Sequence, residues 1–292
     1  LSGGPAARVI SRLMLVIGVA PLFAPTLGGL IAGAAGWRAV FVVLAAFGLV
    51  LWVAVWRWLP ETLPAERRTA AGPREALRGY RSLLGDRQFL ALAVIPGLGM
   101  GALISYVVGS PFVLQEGFGL TAQQFALVFA LNGMAMVIGS QVNAALLRRI
   151  APLSILRVAL PLVVATGVAL IAFAGTGAGG VLGLLAPLWL MLFLLGFIMG
   201  NASAMALTLR GDRAGTAAAV IGATQAGTAG LVSSRVGLLG GGAVAMSMVI
   251  LGSLSTALLF LIGGTVANRR RTLKADRATS SVTPALEVDR LA

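Results

Sequence analysis

The chain has 292 residues, of which 58% are hydrophobic and 11% charged, with a formal net charge of +13 and neither histidine nor cysteine. Soluble domains carry about 25% charged residues, so this chain cannot cover a globule with polar surface, and lipid must coat it instead. Disulfides, thiolate chemistry and His- or Cys-ligated metals are excluded, and so is the usual general base of catalysis. The arginines sit between apolar runs rather than on an aromatic–basic face that would bind nucleic acid.

In chain order, the intervals free of charged residues are 13–37, 39–56, 88–115, 117–147, 158–209, 214–234 and 236–268. A spanning helix needs about 20 apolar residues. The interval 158–209 is long enough for two helices, divided at Gly175–Gly180 (GTGAGG). Eight helices are therefore predicted, over 10–34, 38–58, 88–111, 122–147, 153–174, 181–206, 213–235 and 242–266. Local signals agree. Gly36 and Trp37 turn the chain between the first two. Thr121 with Gln124 forms a capping box opening the fourth. Pro152 suits the first turn of the fifth.

The stretch 57–87 interrupts this pattern with seven arginines. Within it, Pro73 is expected to open a short surface helix with Leu77, Tyr80 and Leu84 on one face, which also reads as a solvated loop helix. With loops assigned to alternate sides, 20 of the 22 basic residues fall on the side of the N-terminus, this loop and the C-terminal tail, and only Arg38 and Arg235 fall on the other. The arginine-rich side is then cytoplasmic. The polar tail after Val266 is expected to be disordered, with a basic start suited to anionic headgroups. The chain begins at Leu1 and is expected to be an internal fragment of a longer protein.

The run ARVISRLMLVIGVAPLFAPTLGGLIAGAAGWRAVF followed by LPETL resembles the fifth and sixth helices of the major facilitator superfamily. Within that superfamily it is similar to the drug:proton antiporter branch of bicyclomycin and chloramphenicol resistance exporters. ISYVVGSPFVLQEGFGLTAQQFALVFALN resembles that branch's seventh helix and the start of its eighth, and DRAGTAAAVIGATQAG the start of its eleventh. The resemblance implies an all-α integral membrane protein of major facilitator fold, carrying helices five to twelve of twelve. Residues 1–59 would hold the last two helices of the N-terminal bundle and 60–87 the cytoplasmic central loop. Residues 88–267 would form the six-helix C-terminal bundle and 268–292 a cytoplasmic disordered tail.

The antiporter motif of the family's fifth helix normally ends GPxxGG. Here it reads Ala24-Pro25-Thr26-Leu27-Gly28-Gly29, with Ser11 and Ala20 where earlier glycines would stand. Every position stays small, which keeps close packing possible, and Pro21 and Pro25 bend the helix by removing backbone donors. The loop after the eighth family helix has Arg148 and Arg149 but lacks the fuller acidic–basic signature.

Polar side chains inside spans are costly and need a reason. The substrate-cavity candidates are Met14, Tyr106, Ser110, Asn132, Asn201 and Gln225. The resemblance implies that the helix of Tyr106 lies beside the central cavity, where its ring would stack on a substrate, while Ser105 and Ser110 offer hydroxyls or bond back to their own helix. Asn132 and Asn143 share a helical face, either lining the cavity or bonding a neighbouring helix. Asn201 follows Gly196 and Gly200, and Gln225 sits among small residues. Met14, Met100, Met134 and Met199 offer an adaptable apolar lining.

All nine acidic residues lie outside the apolar runs or at their edges, Glu116 being the nearest. The resemblance implies that the proton-carrying acid belongs to the family's first helix, so the fragment alone is expected not to run coupled transport. The implied function is secondary active multidrug efflux by drug:proton antiport with alternating access, here as a partial chain. No cofactor is expected beyond the proton gradient. The implied partners are a small amphipathic or apolar drug-like substrate and the bilayer, in a carrier that is monomeric when complete and lies in the bacterial inner membrane. The alternatives are an exporter of a sugar or metabolite, or a non-transporting truncated membrane protein. An enzyme is not expected, since only unassisted Ser or Tyr would remain for catalysis.

Overall fold

A computed structural model describes residues 27–60 and 72–264. Among these residues there are helices and no strand. The chain divides into two compact units, residues 1–72 and 73–292.

The first unit contributes α1 (27–35) and α2 (Trp37–Trp58). They are separated by Gly36, whose φ of +79° lies in the region that only glycine enters freely. α2 carries apolar residues all round and buries none of them. Trp52 and Trp56 stack along its surface, and the Arg38 guanidinium lies over the Trp37 ring. A helix of this composition needs a hydrocarbon solvent.

The second unit opens with the short α3 (Pro73–Leu84), followed by α4 (Arg87–Pro111), α5 (Ala122–Leu146), α6 (Pro152–Thr176), α7 (Gly180–Leu209), α8 (Ala214–Leu238) and α9 (Ala243–Gly264). The starts follow from local chemistry. Asp86 caps α4 by accepting from the backbone N–H groups of Gln88 and Phe89. Thr121 and Gln124 form the expected capping box on α5. The break expected within 175–180 is a left-handed stop at Gly177 and a left-handed start at Gly179. Among the described residues six helices, namely α2, α4 with its extension to Gly117, α5, α6, α7 and α9, are long and apolar enough to cross a membrane. The described chain is thus an all-α membrane protein. α8 is not among the six, because its glycines, threonines and serines lower its apolarity; its close approach to α4 is permitted by Gly97 and Gly101 on α4.

α4 packs on α7, α8 and α9, and α7 in turn packs on α5 and α6. Its contacts with α8 keep a constant sequence separation of 131. Thr224 Oγ1 donates to the Ala93 carbonyl at 3.1 Å and Thr228 Oγ1 to the Gly97 carbonyl at 2.5 Å. A Cβ on Gly97 or Gly101 would press into Thr228 or Val232 respectively. The two helices therefore run parallel. α9 runs antiparallel to α4: Met246 fills the space over Gly109, Ser253 Oγ donates to the Leu98 carbonyl at 2.8 Å, and Gly264 lies beside Ala91. Apolar burial gives little drive to helix association in lipid, so these close approaches and interhelical hydrogen bonds hold the bundle.

Candidate functional site

Tyr106, Asn132, Asn143 and Asn201, among the polar groups singled out in the sequence, lie where the second unit's helices meet. Tyr106 on α4 is 2% exposed and its ring stacks on Phe129 of α5, centroids 5.6 Å apart. Asn132, one turn further along α5, donates from Nδ2 to the Tyr106 hydroxyl oxygen at 3.2 Å. Eleven residues on, Asn143 exchanges two amide hydrogen bonds with Asn201 of α7, at 3.3 and 2.8 Å. Between these polar contacts the helices cross at their closest point. A Cβ on Gly139 would run into the Phe193 carbonyl, and one on Gly196 would lie 2.7 Å from the Met136 carbonyl oxygen and the Ser140 nitrogen. Glycine at both positions is what lets α5 and α7 approach closely enough for the two amides to meet.

Ser110 is buried and its hydroxyl donates to the Val107 carbonyl at 3.3 Å. That carbonyl lacks its ordinary helical donor because residue 111 is proline. Past Pro111 the helix widens into a π turn, Phe112–Gly117, with Phe118 N donating to the Val113 carbonyl and Glu116 exposed. Gln225 is half-buried on α8. Met14, Pro21 and Pro25 lie outside the described residues. Gly28 and Gly29 belong to α1, where an added Cβ would meet nothing within 4 Å among the described residues.

At the arginine-rich end, Asp86 pairs with Arg210, which follows the last residue of α7, through both Nε, at 3.0 Å, and Nη2. Burial works to raise the Asp86 pKa. The Arg210 hydrogen bond, the N–H groups of Phe89 and Gln88 and the Arg210 charge outweigh it and hold the carboxyl below its ordinary value. A small, mostly apolar cavity nearby is lined by Gln88, Leu92, Leu153, Met205, Phe260 and Leu261. Among the described residues no group of His, Cys, Asp or Glu is placed to hold a metal ion.

Sequence reasoning did not single out Thr224, Thr228 or Ser253, which tie α8 and α9 to α4, nor the reciprocal pairing of Asn143 with Asn201. The spacing of Thr224 and Thr228, four residues apart on a glycine-rich helix, is the signal that could have found the first two.

The Major Facilitator Superfamily family model matches residues 6–234. An uncharacterized MFS-type transporter, YdgK of Bacillus subtilis (strain 168), is 32% identical over 225 residues, covering 76% of this chain and 55% of that protein. A bicyclomycin resistance protein homolog of Haemophilus influenzae is 28% identical over 226 residues, 75% of this chain and 55% of its own length. The multidrug resistance protein MdtL of Escherichia coli O45:K1 is 34% identical over 133 residues, 45% of this chain and 33% of its own length. The chain spans about half the length of the first two of these relatives.

Proposed function

The chain belongs to the Major Facilitator Superfamily, and from that premise we propose that it is part of a secondary exporter of small amphipathic or apolar drug-like molecules, driven by proton antiport. The observation that carries this reading is the similarity to relatives named for bicyclomycin and multidrug resistance. The chemistry of the spans supports it. Their buried amides and hydroxyls are committed to one another or to backbone carbonyls, which leaves mainly apolar and aromatic surface to meet a cargo. Weak apolar contacts suit a carrier that must release what it binds. In this reading two bundles rock around a midplane cavity, with Tyr106, Ser110, Asn132, Asn201, Gln225 and Met14 on or beside its wall. Pro21, Pro25, Gly28 and Gly29 bend and pack the helix that supports the motion. The arginine-rich loops and the C-terminus face the cytoplasm of a bacterial inner membrane.

The test is uptake of a lipophilic fluorescent dye by inverted membrane vesicles from the native cell, energised by an acid interior, with and without the gene. Gene-dependent accumulation that stops when the pH gradient is collapsed is expected. Accumulation that survives the collapse overturns proton antiport. Gradient-driven movement of a sugar or metabolite in place of the dye favours the alternative exporter. No gene-dependent movement of any solute overturns transport.

A further inference from the structure

α3 presents three different faces. One is packed against the protein: Leu83 is fully buried among Phe89, Ala93, Ala206, Ala217, Val220 and Ile221. Gly79 is buried on the same side, over Thr216. Ser82 Oγ accepts from Arg213 Nη1 at 2.7 Å. These contacts fix α3 to the first turns of α4 and α8. The second face is apolar and open, with Leu77 60%, Tyr80 38% and Leu84 53% exposed at spacings of three and four residues. The third is basic, with Arg74, Arg78 and Arg81 exposed at spacings of four and three. Among the described residues none of the three forms an ion pair. Arg74 and Arg81 lie three residues before and four after Leu77, so the basic and apolar stripes adjoin.

We propose that α3 is a docking surface for a bilayer rich in anionic headgroups, with Leu77, Tyr80 and Leu84 sunk at the headgroup–acyl boundary and Arg74, Arg78 and Arg81 on the phosphates. Two features select this occupant. The α4 span begins at Arg87, three residues beyond the last residue of α3, and packing against α4 holds α3 where that span leaves the hydrocarbon. An apolar stripe bordered by arginines is also the arrangement that an anionic interface rewards, since it joins apolar burial to charge attraction. The proposal goes beyond the transport reading and does not depend on what is carried.

The test uses the cysteine-free chain with one nitroxide label at L77C, reconstituted in nanodiscs of phosphatidylcholine with or without phosphatidylglycerol. Collision of the label with oxygen and with a water-soluble nickel chelate reports its depth. With phosphatidylglycerol, the label should be open to oxygen and closed to nickel. Nickel access should rise severalfold without phosphatidylglycerol, or when R74Q, R78Q and R81Q are combined, since each arginine is worth roughly a fivefold change in partitioning to an anionic surface. If the triple variant does not fold, the comparison of lipids with the arginines intact still decides. High nickel access in both lipids means a solvated helix and overturns the proposal. Low access to both reagents means that protein covers the stripe, and overturns it too. Equal burial in both lipids shows insertion without recognition of charge, which overturns the anionic part.

Discussion

Asp86 and Arg210, 124 residues apart in sequence, join the start of α4 to the end of α7 through one carboxylate oxygen. Asp86 is also the N-cap of α4, so one side chain starts one helix and ties down the end of another. Asp86→Asn keeps the cap and removes the charge. The expected loss is about 1 kcal/mol, kept small because Arg210 is about one-third exposed and its charge is screened. The folded-state pKa of Asp86 is lowered, so its contribution is complete above the ordinary carboxylate range, about pH 4, and fades as pH falls through the lowered folded value. Thermal unfolding of the purified chain should show the same gap between wild type and Asp86→Asn at about pH 7 and about pH 5, and no gap in strong acid. A gap that widens on acidification would contradict this.

Two glycines on one helix make a sharper test. Gly196 faces the α5 backbone, whereas a Cβ on Gly200 meets nothing within 4 Å. Gly196→Ala should destabilise by about 1–3 kcal/mol through overpacking. Gly200→Ala should be neutral or stabilising by up to about 1 kcal/mol, because alanine is the better helix former. Unfolding in mixed detergent, followed by tryptophan fluorescence, measures both.

The reciprocal amides of Asn143 and Asn201 should show coupling. Either residue changed to alanine leaves a buried amide without its partner, and the double variant removes both. A double-mutant cycle should return roughly 0.6 kcal/mol, and no more than about 1.7, the range found for hydrogen bonds between membrane helices. A value of zero would mean that each amide finds another partner at once.

Tyr106 separates ring from hydroxyl. Tyr106→Phe loses the acceptor of Asn132 and keeps the stack on Phe129. Under the proposed function dye transport should persist in Tyr106→Phe and fall severalfold in Tyr106→Ala. Equal loss in both would mean that transport depends on the hydroxyl and its bond to Asn132 rather than on the ring.

Helix positions were legible because charged residues and caps mark them: Arg87, Thr121, Pro152 and the Gly175–Gly180 break all delimit helices. The partners of those helices were not legible. Gly139, Gly196 and Gly200 are one letter in the sequence, and only the neighbouring backbone distinguishes the two that permit a crossing from the one that faces open space. Spacing put Asn132 and Asn143 on one face, yet they bond different helices, because Tyr106 and Asn201 come from elements far away in sequence. The Leu77, Tyr80 and Leu84 stripe followed from periodicity. That Leu83, on another face, is the residue that anchors α3 depends on where α8 begins.

The fixed separation of 131 between α4 and α8 has a mechanical consequence. The Thr224 and Thr228 hydroxyls on α8 sit against the Ala93 and Gly97 carbonyls on α4, four residues apart on both helices. Sliding one helix past the other by a single residue would set a hydroxyl against a side chain and strip two carbonyls of a donor together. The next position of comparable fit is a full turn away, about 5–6 Å. The pair is thus held in register like a ratchet at one tooth: creep along the axis is opposed, whereas tilting of the two helices together as one body keeps both contacts.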